Sequence, residues 1–449
     1  MGRLFGTDGI RGLANVDLKP TLAFALGRAT AHLLAAGRGP IVLGQDTRRS
    51  GDMLSAALVA GVTSMGVDVH RAGILPTPGL AFLTGSGGFA AGIVVSASHN
   101  PADDNGLKVL DSRGLKLDDS VEDQLDSLIW RADELVSPTN AGMGRDIDAR
   151  GLVDRYVAAR MDLARRSAND LRVVLDCANG SGSAVASTIL DASGANVTSI
   201  FDHPDGMNIN FGCGATSPDA LAARVAELGA DVGIALDGDA DRCVVVDECG
   251  RVVDGDRLIG VIALDRLARE ALAARTVVVS VLSNGGLARA IEGAGGRIVR
   301  TPVGDKYIAD AMTVSGAGLG GEKSGHVIIS EHTQTGDGIV TALELLGIIA
   351  RLGRPLSELA DRISLLPQQQ RAVPVRHREQ WEADPEFADA VAAAAAELGD
   401  HGRVLVRPSG TEPVLRVMVE GDDPSRVVAL AESLAALAAV RLNERSGPA

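Results

Sequence analysis

Short runs of β-branched and aliphatic residues alternate along the chain with alanine-rich stretches that close on glycine. The alternation comes round three times. Pro40-Ile-Val-Leu-Gly-Gln-Asp46, Arg172-Val-Val-Leu-Asp176 and Thr276-Val-Val-Val-Ser-Val-Leu282 each predict an opening strand. An alanine-rich helical stretch follows each one, and a second strand follows the helix at residues 67–70, 195–198 and 297–300. A third strand then ends in a polar loop, as at Gly92-Ile-Val-Val95. Strands that alternate with helices predict parallel or mixed sheets covered on both faces.

The three polar loops are Ser96-Ala-Ser-His-Asn-Pro101, Asp237-Gly-Asp-Ala-Asp241 and Gly321-Glu-Lys-Ser-Gly-His326. They occupy the same place in each unit. Ligands of open α/β sheets bind beyond the carboxyl ends of strands, so this is where chemistry is expected. A polar stretch over residues 132–151 separates the first two units, and Asp254-Gly255 marks the second join. Past Leu366 the pattern changes to strand (371–376), helix (385–398), strand (403–406), turn (407–413), strand (414–420) and helix (425–442). The expected fold is α/β: three similar mixed-sheet domains at 1–153, 154–255 and 256–366, plus a smaller C-terminal α+β domain at 367–449.

Composition narrows the function classes. The 449 residues carry a net charge of −15 and only 2% aromatic residues. An acidic chain with few stacking platforms is not a general nucleic-acid binder. Cys177, Cys213, Cys243 and Cys249 lack zinc-type pairing and are too few for a disulfide scaffold, which points to reduced thiols. No signal segment or membrane-length apolar run is present, so a cytoplasmic protein with no membrane partner is expected.

Asp237, Asp239 and Asp241 alternate around a glycine. Two carboxylates about 4 Å apart repel by about 4 kcal/mol at an effective dielectric of about 20, so three converging ones call for a cation. All-oxygen ligands favour Mg²⁺ or Ca²⁺ over zinc. A solvated acidic turn is the plain alternative. An EF-hand is rejected, because its sixth position is Arg242 and Cys243-Val-Val-Val246 reads as a strand. Ser98 beside His99 invites a hydrolase reading, but no G-x-S-x-G elbow exists. Arg407-Pro-Ser409-Gly410-Thr411-Glu-Pro413, with Arg416 beyond, joins guanidinium, hydroxyl and flexible backbone in one turn that can bind an anion, with a plain β-turn capped by Ser and Thr as the competitor. Gly180-Ser-Gly182 with Asp202 begins like a dinucleotide fingerprint, but Val185 occupies the third glycine position.

Taken together and in order, these four loops resemble those of the α-D-phosphohexomutase family. Phe5-Gly-Thr-Asp-Gly-Ile-Arg-Gly12, Asn208-Ile-Asn210 with Cys213-Gly214, and Val303-Gly-Asp-Lys-Tyr307 resemble the branch acting on glucosamine phosphates. Lys323 departs from it, where that branch commonly has Gln. The resemblance implies four domains around a central cleft and interconversion of glucosamine 6-phosphate and glucosamine 1-phosphate, which feeds cell-wall synthesis. Ser98 is then a phosphoserine and, with Asp237, Asp239 and Asp241, a ligand of one Mg²⁺ per chain. Lys108, His326 and Arg11 become catalytic candidates; Glu322, Ser324, Arg242 and Lys306 face the substrate; Arg407, Ser409, Gly410, Thr411 and Arg416 hold phosphate. Glucosamine 1,6-bisphosphate is the implied intermediate, and a homodimer the implied assembly. The alternatives are a sister mutase of glucose or mannose phosphates and a catalytically silent phosphosugar-binding protein.

Overall fold

A computed structural model describes residues 3–6, 8–164, 168, 170–409 and 413–443. Its first sheet has six strands, ordered Ile10–Leu13, Asp104–Leu110, Ala91–Val95, Ile41–Gln45, Val69–Ile74 and Asp146–Asp148. The second runs Val252–Val253, Cys243–Asp247, Val232–Leu236, Arg172–Asp176, Asn196–Ile200. The third runs Arg297–Thr301, Thr276–Ser280, Leu319–Gly321, Val327–Ile329.

One construction recurs in all three. The opening strand pairs in parallel with the second and third strands, and the third turns back into an antiparallel neighbour. Thus Ile41 faces Ala91 and Val95 faces Leu107; Val173 faces Val232 and Leu236 faces Cys243; Val277 faces Leu319 and Gly321 faces Val327. Each polar loop is therefore the turn of a hairpin at the carboxyl end of a buried parallel strand. The opening strands are apolar on both faces because both are covered: Ile41–Leu43, Val173–Leu175 and Val277–Val279 are all buried.

Aspartates cap two helices whose first N–H groups meet these loops, Gly255 on the Lys323 carbonyl and Gly338 on the Ala240 carbonyl. Asp254 accepts from the Arg257 N–H at the start of Gly255–Ala268, and Asp337 accepts from Ile339 and Val340 at the start of Gly338–Leu352. Residues 132–151, read from sequence as a separator, contribute Asp146–Asp148 as a parallel edge strand beside Val69–Ile74. Its two outer aspartates are exposed, so no apolar alternation announced it.

The chain divides into two compact units, 1–283 with 291–363, and 284–290 with 364–449. The second is an antiparallel sheet of Gln368–Pro374, Val414–Gly421 and Gly402–Pro408, with helices Pro385–Leu398 and Pro424–Arg441 packing on it over Phe387, Leu415, Val417, Val419 and Ala431. Among the described residues no helix is long and apolar enough to cross a membrane.

Candidate functional site

The three hairpin turns of the larger unit converge. Ser98 is buried and adopts a left-handed conformation at φ 53°. That is a costly geometry for a residue with a Cβ, and it is held from several sides. The Ser98 N–H donates to Ser96 Oγ at 3.0 Å, and Ser96 Oγ donates to Asp46 at 2.7 Å. Arg48, fully buried and paired with Asp46 at 2.9 Å, donates to the carbonyls of Ser98 (3.1 Å), Asn100 (2.7 Å) and Asp104 (3.0 Å), and also to that of Pro101. From the second domain, Asn210 Nδ2 donates to the same Ser98 and Asn100 carbonyls at 2.9 and 3.0 Å. Gly238 lets the two loops touch: a Cβ there would lie 2.5 Å from the Ser98 carbonyl oxygen.

Held this way, Ser98 Oγ donates to Asp237 Oδ2 at 2.5 Å. Asp237 Oδ1 accepts from the Arg242 N–H at 3.1 Å. Ligand oxygens from Asp237, Asp239 and Asp241 lie within 4.8 Å of one another, and all three residues are buried. Among the described residues, Asp239 Oδ1 and Asp241 Oδ1 are buried with no hydrogen-bond partner. Burial, then repulsion from Asp241 and Asp239, holds the Asp237 carboxyl well above its usual range. Burial also opposes ionisation of Asp241, but His326, Lys108 and Arg242 outweigh it and keep that carboxyl well below its usual range. Two orphaned anionic oxygens beside a third acid form the donor set of a hard divalent cation, and these residues fit one.

Lys108 lies between Asp239 (2.9 Å) and Asp8 (3.0 Å). Burial pulls its pKa down, yet Asp239, Asp8 and Asp241 overcome this and hold the ammonium charged. That is the reverse of the depressed value a lysine base needs. His326 is buried, with Nδ1 3.5 Å from Asp241 and Nε2 3.5 Å from Asp305. Burial lowers its pKa, but Asp241 and Asp305 raise it to about 9. The Gly336 N–H points at Nε2 at 3.1 Å, so a neutral ring keeps its proton on Nδ1, facing Asp241. His99 lies 3.4 Å from Ser98 Oγ, and burial with Arg242 and Arg11 takes it down to about 4, leaving it neutral.

The remaining expected residues divide between the two units. Arg11 pairs with Asp8 and donates to Asn100 Oδ1 at 3.3 Å, so it reaches the Ser98 loop. Arg242 Nε lies 3.9 Å from Asp237 and 3.8 Å from Asp241. Glu322 accepts from the Gly304 N–H at 3.2 Å, and Ser324 Oγ is buried without a hydrogen-bond partner among the described residues. Lys306 is turned to the first domain, where it pairs with Asp119 and lies 3.7 Å from Glu122. In the smaller unit Arg407 faces Arg416 across the ladder, and the Ser409 N–H donates to the Val414 carbonyl at 2.9 Å. Gly410 and Thr411 lie outside the described residues.

Several site neighbours carried no signal in sequence: Arg48 behind the serine loop, Thr77 against Asp239, and Lys116, which lies 2.7 Å from Asp305 and also pairs with Asp8. Asp8, Asp46, Asn210 and Asp305 sat inside quoted segments, but their partners were not readable.

Profiles of the phosphoglucomutase/phosphomannomutase family match in series: α/β/α domain I over residues 2–136, domain II over 153–250, domain III over 254–365 and the C-terminal domain over 372–437. A phosphoglucosamine mutase of Moorella thermoacetica is 50% identical over 427 residues, covering 94% of this chain and 96% of the relative. One from Desulforudis audaxviator is 47% identical over 437 residues, covering 97% of each. The crystal structure of a phosphoglucomutase/phosphomannomutase family protein from Burkholderia thailandensis superposes with a TM-score of 0.84 at 28% identity, covering 97% of each chain.

Proposed function

The chain belongs to the phosphoglucomutase/phosphomannomutase family, and from that premise we propose that it interconverts glucosamine 6-phosphate and glucosamine 1-phosphate, as an isomerase working by phosphoryl transfer. The observation that carries this reading is Ser98 itself: a buried hydroxyl in a strained loop, hydrogen-bonded at 2.5 Å to one of three clustered aspartates.

Ser98 carries the phosphoryl group. The substrate's free hydroxyl attacks phosphorus, the Oγ–P bond breaks, and the hydroxyl proton passes to the protein while Ser98 Oγ regains one. The product of this half-reaction is glucosamine 1,6-bisphosphate. It turns over, and the reverse step returns its other phosphoryl group to Ser98. Mg²⁺ held by Asp237, Asp239 and Asp241 would withdraw charge from the transferring oxygens. Lys108 and His326 handle protons; Lys108, kept charged by Asp8 and Asp239, suits the donor's side. Arg11 and Arg242 balance phosphoryl charge. Glu322, Ser324 and Lys306 serve sugar recognition, and Arg407 with Ser409, Gly410, Thr411 and Arg416 grips whichever phosphate is not reacting. A cytoplasmic setting and supply of an amino-sugar precursor for the cell wall belong to the same reading.

Side-by-side turnover of glucosamine 6-phosphate and glucose 6-phosphate, each with a trace of its bisphosphate, tests the substrate. The amino sugar should win in kcat/KM by about tenfold or more, the size of one differential polar contact. Equal or better use of glucose 6-phosphate transfers the chain to the glucose branch.

A further inference from the structure

Asp239 is gripped on one side only. Thr77, buried at the start of helix Thr77–Ser86 in the first domain, donates its hydroxyl to Asp239 Oδ2 at 2.6 Å. Its N–H donates to the Asp239 carbonyl at 3.0 Å, so main chain and side chain hold the same residue. Lys108 Nζ donates to Oδ2 as well, at 2.9 Å. Both donors to that oxygen come from the first domain, whereas Asp239 lies in the second. The other oxygen, Oδ1, is buried and has no hydrogen-bond partner among the described residues, like Oδ1 of Asp241.

We propose that Thr77 is the positioning residue of the metal site: it fixes the Asp239 carboxylate so that Oδ1 faces the cation, and ties cation affinity to the docking of the first domain on the second. This rests on the metal reading of the aspartate trio. Lys108 cannot supply the orientation alone. Its ammonium is a point charge on a flexible stem, shared with Asp8 at 3.0 Å, and it attracts the carboxylate without fixing its plane. Thr77 is short and restricted at χ1, and its own N–H is anchored on the Asp239 carbonyl, so its hydroxyl is held at Oδ2 from a fixed place. Without that hydroxyl the carboxylate can pivot to offer either oxygen. Partners that orient a ligand typically contribute about 10–100-fold in metal affinity.

The experiment is a Mn²⁺ titration of the full chain, read by electron paramagnetic resonance, with a parallel Mg²⁺ titration by calorimetry. Thr77→Val, which keeps shape and removes the hydroxyl, should bind about 10–100-fold more weakly. Thr77→Ala gives a second hydroxyl-free variant should valine disturb folding. Thr77→Ser should restore affinity to within about threefold of wild type, a rescue that a purely packing role of the threonine would not produce. Wild-type affinity in the hydroxyl-free variants overturns the role of Thr77 and leaves the metal reading standing. Failure of the unaltered protein to bind either ion overturns both.

Discussion

The loop around Ser98 and the loop around Glu322 occupy equivalent hairpin turns, yet they are finished differently. At Ser98 the side chain is already paired with Asp237, and the carbonyls of residues 98 and 100 each receive both Arg48 and Asn210. At residues 322–326 the backbone is closed, with the Glu322 N–H on the His326 carbonyl and the Gly325 N–H on the Glu322 carbonyl, and the Glu322 and His326 side chains are engaged as well. Between them Ser324 Oγ has no hydrogen-bond partner among the described residues, and the Lys323 side chain is 43% exposed, 3.9 Å from Asp254. A centre that transfers a group gains from geometry fixed beforehand. A loop that reads a ligand gains from polar groups left waiting for it, because each is satisfied only when the right partner arrives.

Breaking the fixed loop should cost most. Arg48→Ala removes four carbonyl contacts and strands Asp46 in the interior. We expect kcat to fall by about 100-fold or more with KM little changed, and about 3–5 kcal/mol of stability to be lost to the uncompensated charge. Steady-state kinetics and denaturant unfolding check this; a change in KM alone would erase the contrast between the loops.

His326 closes the second loop and reaches the aspartate turn that holds Ser98, facing Asp241 on one side and Asp305 on the other. Its pKa is raised from 6.5 to about 9 on folding, so its contribution is fully present below pH 6.5 and is lost as pH rises through 9. In metal-free protein the unfolding free energy should fall by up to about 3 kcal/mol over that window. His326→Asn should flatten the slope in denaturant unfolding, and an unaltered slope would assign it to other groups.

Ser324→Ala, at the side chain left open in the second loop, should do least. Removing one hydrogen bond of about 0.5–1.5 kcal/mol raises KM about 2–10-fold and leaves kcat and stability near wild type. A large loss of stability instead would show that Ser324 is part of the framework.

The same contrast explains what the sequence disclosed. The chemically loaded turns were legible because each follows a short apolar strand and concentrates groups that solvent alone does not explain: three aspartates around Gly238, Ser98 before His99, Glu322 with Ser324. The supports behind them were not. Thr77 and Asp239 are 162 positions apart, and Arg48 reaches Ser98 across 50, so each looks like an ordinary residue until the sheets are assembled. Lys306 carries a pairing that its own segment does not announce: its ammonium pairs with Asp119, 187 positions away, and lies 3.7 Å from Glu122. The edge strand Asp146–Asp148 was hidden because two of its three residues are exposed aspartates.

Peptide-resolved mass spectrometry of the purified protein before and after adding Mg²⁺ and glucosamine 6-phosphate tests the central claim most directly. The account predicts one phosphoryl group on Ser98, its transfer to the sugar only while the divalent ion is present, and neither phosphoryl group nor turnover in Ser98→Ala. A phosphoryl group on another residue, or full turnover by Ser98→Ala, would contradict it.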